Sequence, residues 1–382
     1  MRRQRMTARP DWQARLEALG MPFHTHEDGS PYWREDACYS FSPAEIDRLE
    51  QAANALQALC LQAIEHLLER GDFRAFGLPD AMIPVIRESW ERDEVGIYGR
   101  FDFAYDGVGF PKLLEYNADT PTSLVEAAVV QWHWLEDRFP ERDQFNSLHE
   151  RLVAAWVRAK GFLPADTLTF LHQDTPEDQQ TVAYLRDTAD QAGLSTAQML
   201  VEDLGWDEAK AGFCDLDGRP VRAAFKLYPW EFMLKDDFGR HLSRQPRPCT
   251  FLEPAWKLLL SNKALLAVLW ELFPQCPYLL PAYLDGPREL TSYVKKPILA
   301  REGANVEIHA AGRPVIAAAP QDCYGAEGSV FQAYAAIPVF DGFTPVLGAW
   351  IVDGEAAGMG IREARGPITD NSSAFVPHLI EA

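Results

Sequence analysis

The stretch GRFDFAYDGVGFPKLLEYNADTP, residues 99–121, places charged and amide side chains at alternating positions of two segments that otherwise read as β-strands. Successive residues of a strand point to opposite faces, so Arg100 and Asp102 share one face of the first strand. Glu115 and Asn117 share one face of the second strand in the same way. The sequence DGVG between the strands predicts a hairpin turn, which would bring the two polar faces together.

The side-chain oxygens of Asp102, Glu115 and Asn117, with no histidine or cysteine beside them, are the ligands that Mg²⁺ prefers. Arg100 next to them would suit a phosphoryl group that is being transferred. The same pattern is also compatible with a solvent-exposed hairpin face that carries a surface salt bridge. On periodicity alone the exposed face is the more common outcome, and a magnesium and phosphate site is the alternative that the residue types allow.

A phosphate site needs cations or backbone N–H groups, yet the chain has no GxxxxGK[ST] loop and no GxGxxG loop after a strand. Lys263 lies in a helix predicted over residues 255–273, and Lys296 ends the predicted strand TSYVKKP. The loop LAREGANV follows, with Gly303 and its flexible backbone. Lysines and such a loop can bind phosphates without a Walker motif, although each alone is equally compatible with the surface.

Composition and charge restrict the possible partners. The 382 residues include 36 basic and 56 acidic side chains, for a net charge of −20. This charge disfavours nucleic acids and anionic membranes and is compatible with a cationic substrate. No apolar run approaches the ~18 residues of a membrane span, and the basic N-terminus lacks the apolar core of a signal peptide. The six cysteines have no metal-site spacing, so we expect reduced thiols and a cytoplasmic protein.

The periodicity predicts an α/β region followed by an α+β region. A helix with a capping box and a stop glycine is expected over residues 42–71. The segments TLTFLH, DQQTVAYLRDTADQAG and STAQMLV alternate strand, helix and strand, as in a parallel sheet. Beyond Pro281 the chain reads as extended segments separated by Gly, Asp and Pro, which favours antiparallel strands.

Five segments carry a resemblance to a known family: GRFDFAYDGVGFPKLLEYNADTPTSLVEAA, SNKALLAVLWELFP, KKPILAREGANVE, VFQAYAAIP and MGIRE. They occur in this order in the synthetase domain of glutathionylspermidine synthases, and the chain resembles that family over roughly residues 20–380. The resemblance implies an ATP-grasp-like ligase with a preceding α/β substrate subdomain, a fold that needs no P-loop. It also implies that ATP phosphorylates a carboxylate and that an amine then displaces phosphate to form an amide.

The resemblance implies three regions and a set of roles. An N-terminal helical segment over 1–95 would pack on the core, a preATP-grasp α/β region with the hairpin would occupy 96–250, and the ATP-grasp nucleotide-binding region 251–382. ATP and Mg²⁺ would be the cofactors, with Asp102, Glu115 and Asn117 as metal ligands and with Arg100 and Arg362 as catalytic cations for the acyl phosphate and oxyanion. The implied ATP ligands are Lys263, Lys296, Arg301, Gly303 and Gln332, with AREGANV as a lid. The implied substrate residues are Thr120, Thr122 and Ser123 for the carboxylate substrate, and Glu177 and Asp178 for the amine.

Some departures from the family leave the substrates open. Pro121 changes the backbone of the segment TPTS, so the carboxylate substrate is glutathione, another peptide or another acid. Pro176 precedes Glu177 and Asp178, and acidic residues also stabilise a helix N-terminus for dipole reasons, so the amine is a polyamine or another amine. The chain shows no Cys-His amidase region, and we expect amide formation without hydrolysis. The alternative function is a catalytically silent homologue that binds nucleotide or peptide as a partner protein.

Overall fold

The computed structural model describes residues 1–165, 167–318, 320–321 and 324–381. The α-helices are α1 (Trp12–Ala18), α2 (Pro43–Arg70), α3 (Ile83–Glu91), α4 (Gln131–Arg138), α5 (Leu148–Lys160), α6 (Pro176–Gln191), α7 (Trp230–Met233), α8 (Gly239–Leu242) and α9 (Leu265–Leu272). The strands are β1 (Arg2–Arg5), β2 (Ala37–Phe41), β3 (Tyr98–Ala104), β4 (Lys112–Asn117), β5 (Thr167–His172), β6 (Ser195–Leu200), β7 (Gly205–Asp207), β8 (Gly212–Cys214), β9 (Ala223–Lys226), β10 (Thr250–Leu252), β11 (Ala282–Tyr283), β12 (Ser292–Pro297), β13 (Glu307–Ala310), β14 (Arg313–Ala317), β15 (Ser329–Ala333), β16 (Thr344–Val352), β17 (Glu355–Ala364), β18 (Ala374–Phe375) and β19 (His378–Ile380).

The strands β10, β9, β5 and β6 form a parallel sheet in this order, and α6 connects β5 to β6. The predicted strand, helix and strand unit of a parallel sheet is therefore confirmed. Aromatic side chains fix the sheet against α5, because the ring centroids of Trp156 and Phe170 lie 5.8 Å apart and those of Phe170 and Phe225 lie 5.2 Å apart. All three are buried.

The hairpin of residues 98–117 belongs to an antiparallel sheet with the order β18, β17, β16, β3, β4. Arg100 lies opposite Asn117, and Asp102 lies opposite Glu115, because a register shift between Asp102 and Phe103 brings the polar faces of the two strands to the same side. The exposed-face alternative is wrong, because Arg100 and Asp102 are only 8% and 9% exposed. This sheet takes strands from both of the ranges 96–250 and 251–382.

A second antiparallel sheet, with the order β11, β15, β12, β13, β14, carries Lys296 and Gln332 on neighbouring strands. Lys296 of β12 lies opposite Val330 of β15, and Gln332 lies opposite Val294. The predicted mostly extended architecture beyond Pro281 is confirmed, and the fold as a whole is a mixed α/β and α+β arrangement.

The predicted helix over residues 255–273 is wrong in its middle. A 3₁₀ turn covers Ala255–Leu258, α9 begins at Leu265, and Lys263 lies in a turn between them. The turn is held from outside, because the N–H of Lys263 donates to the carbonyl of Ile298 at 2.9 Å. Asn262 supports it by accepting the N–H of Ala264 through its side chain at 2.9 Å. Lys263 is thus fixed to the segment that follows β12.

The longest helix, α2, is scaffold, and its ends follow the predicted signals. The N–H of Ser42 donates to the Glu45 carboxylate at 2.8 Å, and Gly71 ends the helix with φ of 69°. No helix in the described ranges is long and apolar enough to cross a membrane. The thiols of Cys38, Cys60, Cys214, Cys249 and Cys276 are free, and Cys323 lies outside the described residues.

Candidate active site

The polar residues of the hairpin form one hydrogen-bonded group. Nε and Nη2 of Arg100 donate to the two carboxylate oxygens of Asp102 at 2.7 and 3.0 Å, and Nη1 donates to the carbonyl of Thr122 at 2.6 Å. The side-chain amide of Asn117 donates to Asp102 at 3.1 Å and to Glu115 at 3.2 Å. The three residues that the sequence predicts as metal ligands therefore lie side by side.

These residues face a cavity of about 420 Å³, which is the size of a small-molecule site. Its walls come from β3 and β4 on one side, from β12 and β15 on the other, and from the loops that follow β4, β12 and β17. The predicted site residues that line it are Arg100, Asp102, Glu115, Asn117, Thr120, Thr122, Glu177, Lys263, Lys296, Arg301, Gly303, Gln332 and Arg362. Ser123 and Asp178 do not line it.

Two lysines approach Glu115 of the hairpin, Lys263 from the turn before α9 and Lys296 from β12. Nζ of Lys263 is 3.2 Å from a Glu115 carboxylate oxygen and donates to the carbonyl of Ala300 at 2.7 Å. Burial raises the pKa of Glu115, but the ammonium groups of Lys263 and Lys296 outweigh it and lower that pKa to about 2. Burial in turn lowers the pKa of Lys296 to about 8, against the opposing charge of Glu115. Glu115 therefore stays ionised between two cations.

Gln332 holds Lys296 against the hairpin. Nζ of Lys296 donates to the Gln332 side-chain oxygen at 2.8 Å and to the carbonyl of Leu114 at 2.9 Å, and the Gln332 amide donates to the carbonyl of Leu113 at 2.8 Å. Apolar side chains line the cavity around this group, namely Leu114, Val294, Leu299, Val306, Ile308, Ile337 and Val346. One part of the cavity is thus an apolar slot whose edge carries backbone and amide groups.

The loop after β12 closes over the cavity. Arg301 donates to the carbonyl and to the hydroxyl of Thr120, and its Nη1 is 3.5 Å from the carboxylate of Glu231. Gly303 has φ of 70°, and a Cβ there would lie 2.6 Å from the carbonyl oxygen of Thr369, so a larger residue would clash with backbone. The loop is therefore docked against the segment after β4 and against the loop after β17.

An acidic group lies at the end of the cavity where Glu177 enters from α6. Burial raises the pKa of Glu177 to about 7, and the charges of Glu126 and Asp178 add to this effect. Asp178 itself is engaged with its own helix start, because its carboxylate accepts the N–H of Gln173 at 3.1 Å. The predicted acidic pair is thus divided, since only Glu177 faces the cavity.

Arg362 of β17 reaches the cavity from the strand that is two away from the hairpin strand β3. Its Nη2 donates to the carbonyl of Asp370, and its Nε is buried without a hydrogen-bond partner in the described part of the chain. A buried donor without a partner costs free energy, about 1 to 3 kcal/mol, so this Nε is a donor that a ligand in the cavity could satisfy. Arg100 and Arg362 together provide two guanidinium groups at this end.

The sequence matches the family described as "Glutathionylspermidine synthase preATP-grasp" over residues 3–381. The chain belongs to this family. The resemblance on which the predicted ATP-grasp-like fold depends is therefore confirmed, and so is the expectation of an ATP-dependent amide-forming ligase.

Relatives of different length are similar to this chain in sequence. The chain is 42% identical over 383 residues to a protein of Haemophilus influenzae named "Putative acid--amine ligase", and the match covers 97% of both chains. It is 30% identical to a trypanothione synthetase of Crithidia fasciculata over 79% of this chain and 50% of that one. It is 27% identical to the bifunctional glutathionylspermidine synthetase/amidase of Escherichia coli over 90% of this chain and 59% of that one. The chain thus spans about half to three fifths of the last two relatives.

Two residues at the acidic end were not predicted. Tyr32 lines the cavity, and its hydroxyl donates to the carboxylate of Glu126 at 2.5 Å. Glu126 is 1% exposed and begins the π-helical segment Glu126–Val130, which leads directly into α4. The sequence does hold a signal for it, because Glu126 is a lone charge in the apolar run of residues 124–130. Tyr32 has no comparable local signal, since 94 residues separate it from Glu126.

Proposed function

We propose that this protein joins the carboxylate of glutathione or a similar peptide to a polyamine or another cationic amine, by way of an acyl phosphate formed with ATP. The observation that carries the proposal is the convergence in one cavity of two carboxylates and an amide, two lysines and two arginines beside an apolar slot. Phosphoryl transfer from ATP to a carboxylate crowds negative charge, and a site of this composition offsets it.

The donor atoms fit Mg²⁺. Asp102 and Glu115 offer carboxylate oxygens and Asn117 an amide oxygen once its amide group is turned towards the ion, and hard cations prefer such ligands. The ion would neutralise phosphate charge when bound. Lys263 and Lys296, next to Glu115, would then bind the ATP phosphates, and the loop of Arg301 and Gly303 would cover them.

The apolar slot beside Gln332 would receive the adenine ring. Leu114, Val294 and Ile308 provide flat apolar contact there, and the nearby carbonyl and amide groups provide polar edges. This position places the nucleotide between the two antiparallel sheets, with its phosphates towards the hairpin. Small-molecule sites commonly combine an apolar body with a few such polar groups.

Two arginines and one carboxylate would act on the two substrates. The carboxylate oxygen of the peptide attacks the terminal phosphorus of ATP, ADP leaves, and the amine nitrogen then attacks the acyl carbon while phosphate leaves. Arg100 and Arg362 would stabilise the oxygen that becomes negative in both steps. Thr120 and Thr122 offer hydroxyl groups to the peptide, and Glu177 would receive the positive charge of the amine. Asp178 would act only through its charge, since it does not line the cavity.

The test is ADP release with a panel of carboxylates and amines, starting with glutathione and spermidine. We expect ADP release that requires ATP, Mg²⁺ and both organic substrates, with one amide formed per ADP. The variant Glu115→Gln should abolish it, whereas Glu307→Gln should not, because Glu307 of β13 pairs with Lys295 and does not line the cavity. A rate of ADP release that no carboxylate and no amine of the panel increases would overturn the proposal.

A further inference from the structure

A chain of three hydrogen-bonded groups leads away from the two arginines into the protein. The hydroxyl of Tyr32 donates to a carboxylate oxygen of Glu126 at 2.5 Å, and the hydroxyl of Ser123 lies 3.2 Å from the Tyr32 oxygen. A hydroxyl has one proton to donate. Because Tyr32 commits its proton to Glu126, Ser123 is the donor in the second bond, and the Ser123 oxygen keeps its lone pairs for another group.

Ser123 places this chain at the reacting end of the site. It lines a recess of about 20 Å³, together with Arg100, Asp102 and Arg362, which is room for one small group such as an amine nitrogen or a water. The direction of donation therefore runs from the recess, through Ser123 and Tyr32, to the buried carboxylate of Glu126.

The backbone of Ser123 has an unusual conformation at this position beside the recess. Its φ is 69°, in the left-handed region that non-glycine residues rarely adopt and that is enriched at functional sites. The carbonyl of Ser123 accepts the N–H of Ala127, inside the turn that leads into the π-helical segment. π-helical turns also occur frequently at functional sites. The strained backbone of Ser123 thus lies at one end of the hydrogen-bonded chain, and the π-helical segment that begins at Glu126 lies at the other.

The surroundings keep Glu126 able to bind and release a proton. Burial raises its pKa, while the Tyr32 hydrogen bond and the charges of Arg362 and Arg100 act in the opposite direction. Glu177 of α6 faces the same group and would carry the positive amine. A carboxylate with a raised pKa is a better proton acceptor than an exposed one.

We propose that Ser123, Tyr32 and Glu126 form a proton relay that takes the proton from the amine as it attacks the acyl phosphate, an inference that rests on the proposed function. The relay first takes a proton from the ammonium form of the bound amine: this proton passes to the Ser123 oxygen, the Ser123 proton passes to Tyr32, and the Tyr32 proton passes to Glu126. The freed electron pair of the nitrogen forms the bond to the acyl carbon, and phosphate leaves with the electron pair of the broken C–O bond and takes up the second N–H proton. Reversal of the same chain returns the proton to water after the amide has left.

The test compares two nucleophiles in the variants Ser123→Ala, Tyr32→Phe and Glu126→Gln. Spermidine is protonated at neutral pH and needs a base, whereas hydroxylamine is largely uncharged and traps the acyl phosphate as a hydroxamate. We expect amide formation with glutathione and spermidine to fall ~10²-fold or more in each variant, as for loss of a general base, while hydroxamate formation stays near the wild-type rate. The acid limb of the kcat profile with spermidine should also disappear in Glu126→Gln.

The matched control is Tyr39→Phe, since Tyr39 is another buried tyrosine whose hydroxyl donates to a glutamate, Glu363, at 2.9 Å, and it does not line the cavity. Its amide and hydroxamate rates should both be normal. Equal loss of both products in the relay variants, or normal amide formation in them, would overturn the relay alone. A wild-type enzyme that forms neither hydroxamate nor amide with any acid of the panel would overturn the proposed function, and the relay with it.

Discussion

Arg100 and Asp102, two residues apart on β3, form a two-point ion pair in which Nε and Nη2 lie 2.7 and 3.0 Å from the two carboxylate oxygens. Both residues are less than a tenth exposed. The guanidinium plane therefore fixes the orientation of a carboxylate that is predicted to bind a metal ion. The proposed catalytic cation and the proposed metal ligand therefore form one unit, and we expect a change to either to affect the other.

Glu115→Gln should remove the Mg²⁺ dependence of nucleotide binding. The substitution keeps the size of the side chain but removes the charge that lies between Lys263 and Lys296, together with one proposed metal ligand. We expect the gain in ADP affinity on adding Mg²⁺ to shrink by ~10- to 100-fold, the range seen when support for a metal site is lost. Calorimetric titration of ADP with and without Mg²⁺ measures it, with Glu307→Gln as the control. Equal gains in wild type and variant would remove Glu115 from the metal site.

The sequence predicts the hairpin site well because its information is local. Alternation of polar and apolar residues predicts which side chains of one strand share a face, and the turn DGVG predicts the hairpin. The pairing of Asp102 with Glu115 depends in addition on a register shift between Asp102 and Phe103, which the alternation does not predict. Lys263 shows the limit of such reasoning. Its apolar surroundings predict a continuous helix, but a tertiary hydrogen bond to Ile298 diverts its backbone into a turn.

The acidic residues at the end of the cavity could not be predicted as a group, because tertiary contacts bring them together. Tyr32, Glu126 and Glu177 come from three separate parts of the chain, and only the packed structure places them at one end of the cavity. Asp178 illustrates the opposite case, because its charge next to Glu177 suggests a shared role while the helix start turns it to the N–H of Gln173. The spacing of residues along the chain predicts which side chains share a face of one helix or strand. It does not predict which helices and strands pack against each other.

Arg301→Ala should release the loop of residues 299–306. Arg301 holds this loop through Thr120, and hydrogen bonds to a charged group contribute about 1.5 to 3 kcal/mol. When loop opening is fast relative to cleavage, the cleavage rate follows the open population, so limited proteolysis in this segment should accelerate ~10-fold or more. Saturating ADP and Mg²⁺ should protect the wild type further. Arg288→Ala, which removes a guanidinium paired with its neighbour Asp285, is the control. Cleavage that responds neither to Arg301→Ala nor to nucleotide would contradict the lid.

Glu177→Gln should stabilise the free protein, and only at neutral and higher pH. Burial and the charges of Glu126 and Asp178 raise the Glu177 pKa to about 7, above its ordinary 4.5, so the folded state binds this proton more tightly than the unfolded state. Stability from that proton is complete below about pH 4.5 and is lost as the pH rises to 7. The free energy of unfolding of the variant should therefore exceed that of the wild type by about 1 to 3 kcal/mol at pH 8, and the two values should converge at pH 4.

Denaturant unfolding at several pH values measures this difference, with the exposed helical Glu150→Gln as the control. A surface substitution of that kind should change stability by less than about 0.5 kcal/mol at every pH. The same Glu177→Gln variant should bind spermidine more weakly at pH 8, since the charge that would receive the amine is gone. A variant that is less stable than wild type at pH 8 would show that the Glu177 carboxylate is compensated by a partner other than substrate.

Arg100→Ala should depress turnover far more than ATP affinity. The proposed role of the guanidinium is to stabilise negative oxygen in the transition states, and loss of one such donor commonly costs ~10²- to 10³-fold in rate. The variant also leaves Asp102 buried without its partner, which typically costs about 3 to 5 kcal/mol of stability. Arg100→Lys restores a charge near Asp102 but replaces a planar fork by a point charge, so it should recover stability more fully than turnover. Steady-state kinetics and denaturant unfolding on both variants separate the two effects. Near-normal turnover with weakened ATP binding in Arg100→Ala would instead make Arg100 a nucleotide clamp, and Arg362, with its unpartnered buried Nε in the described structure, would become the remaining candidate for the oxyanion.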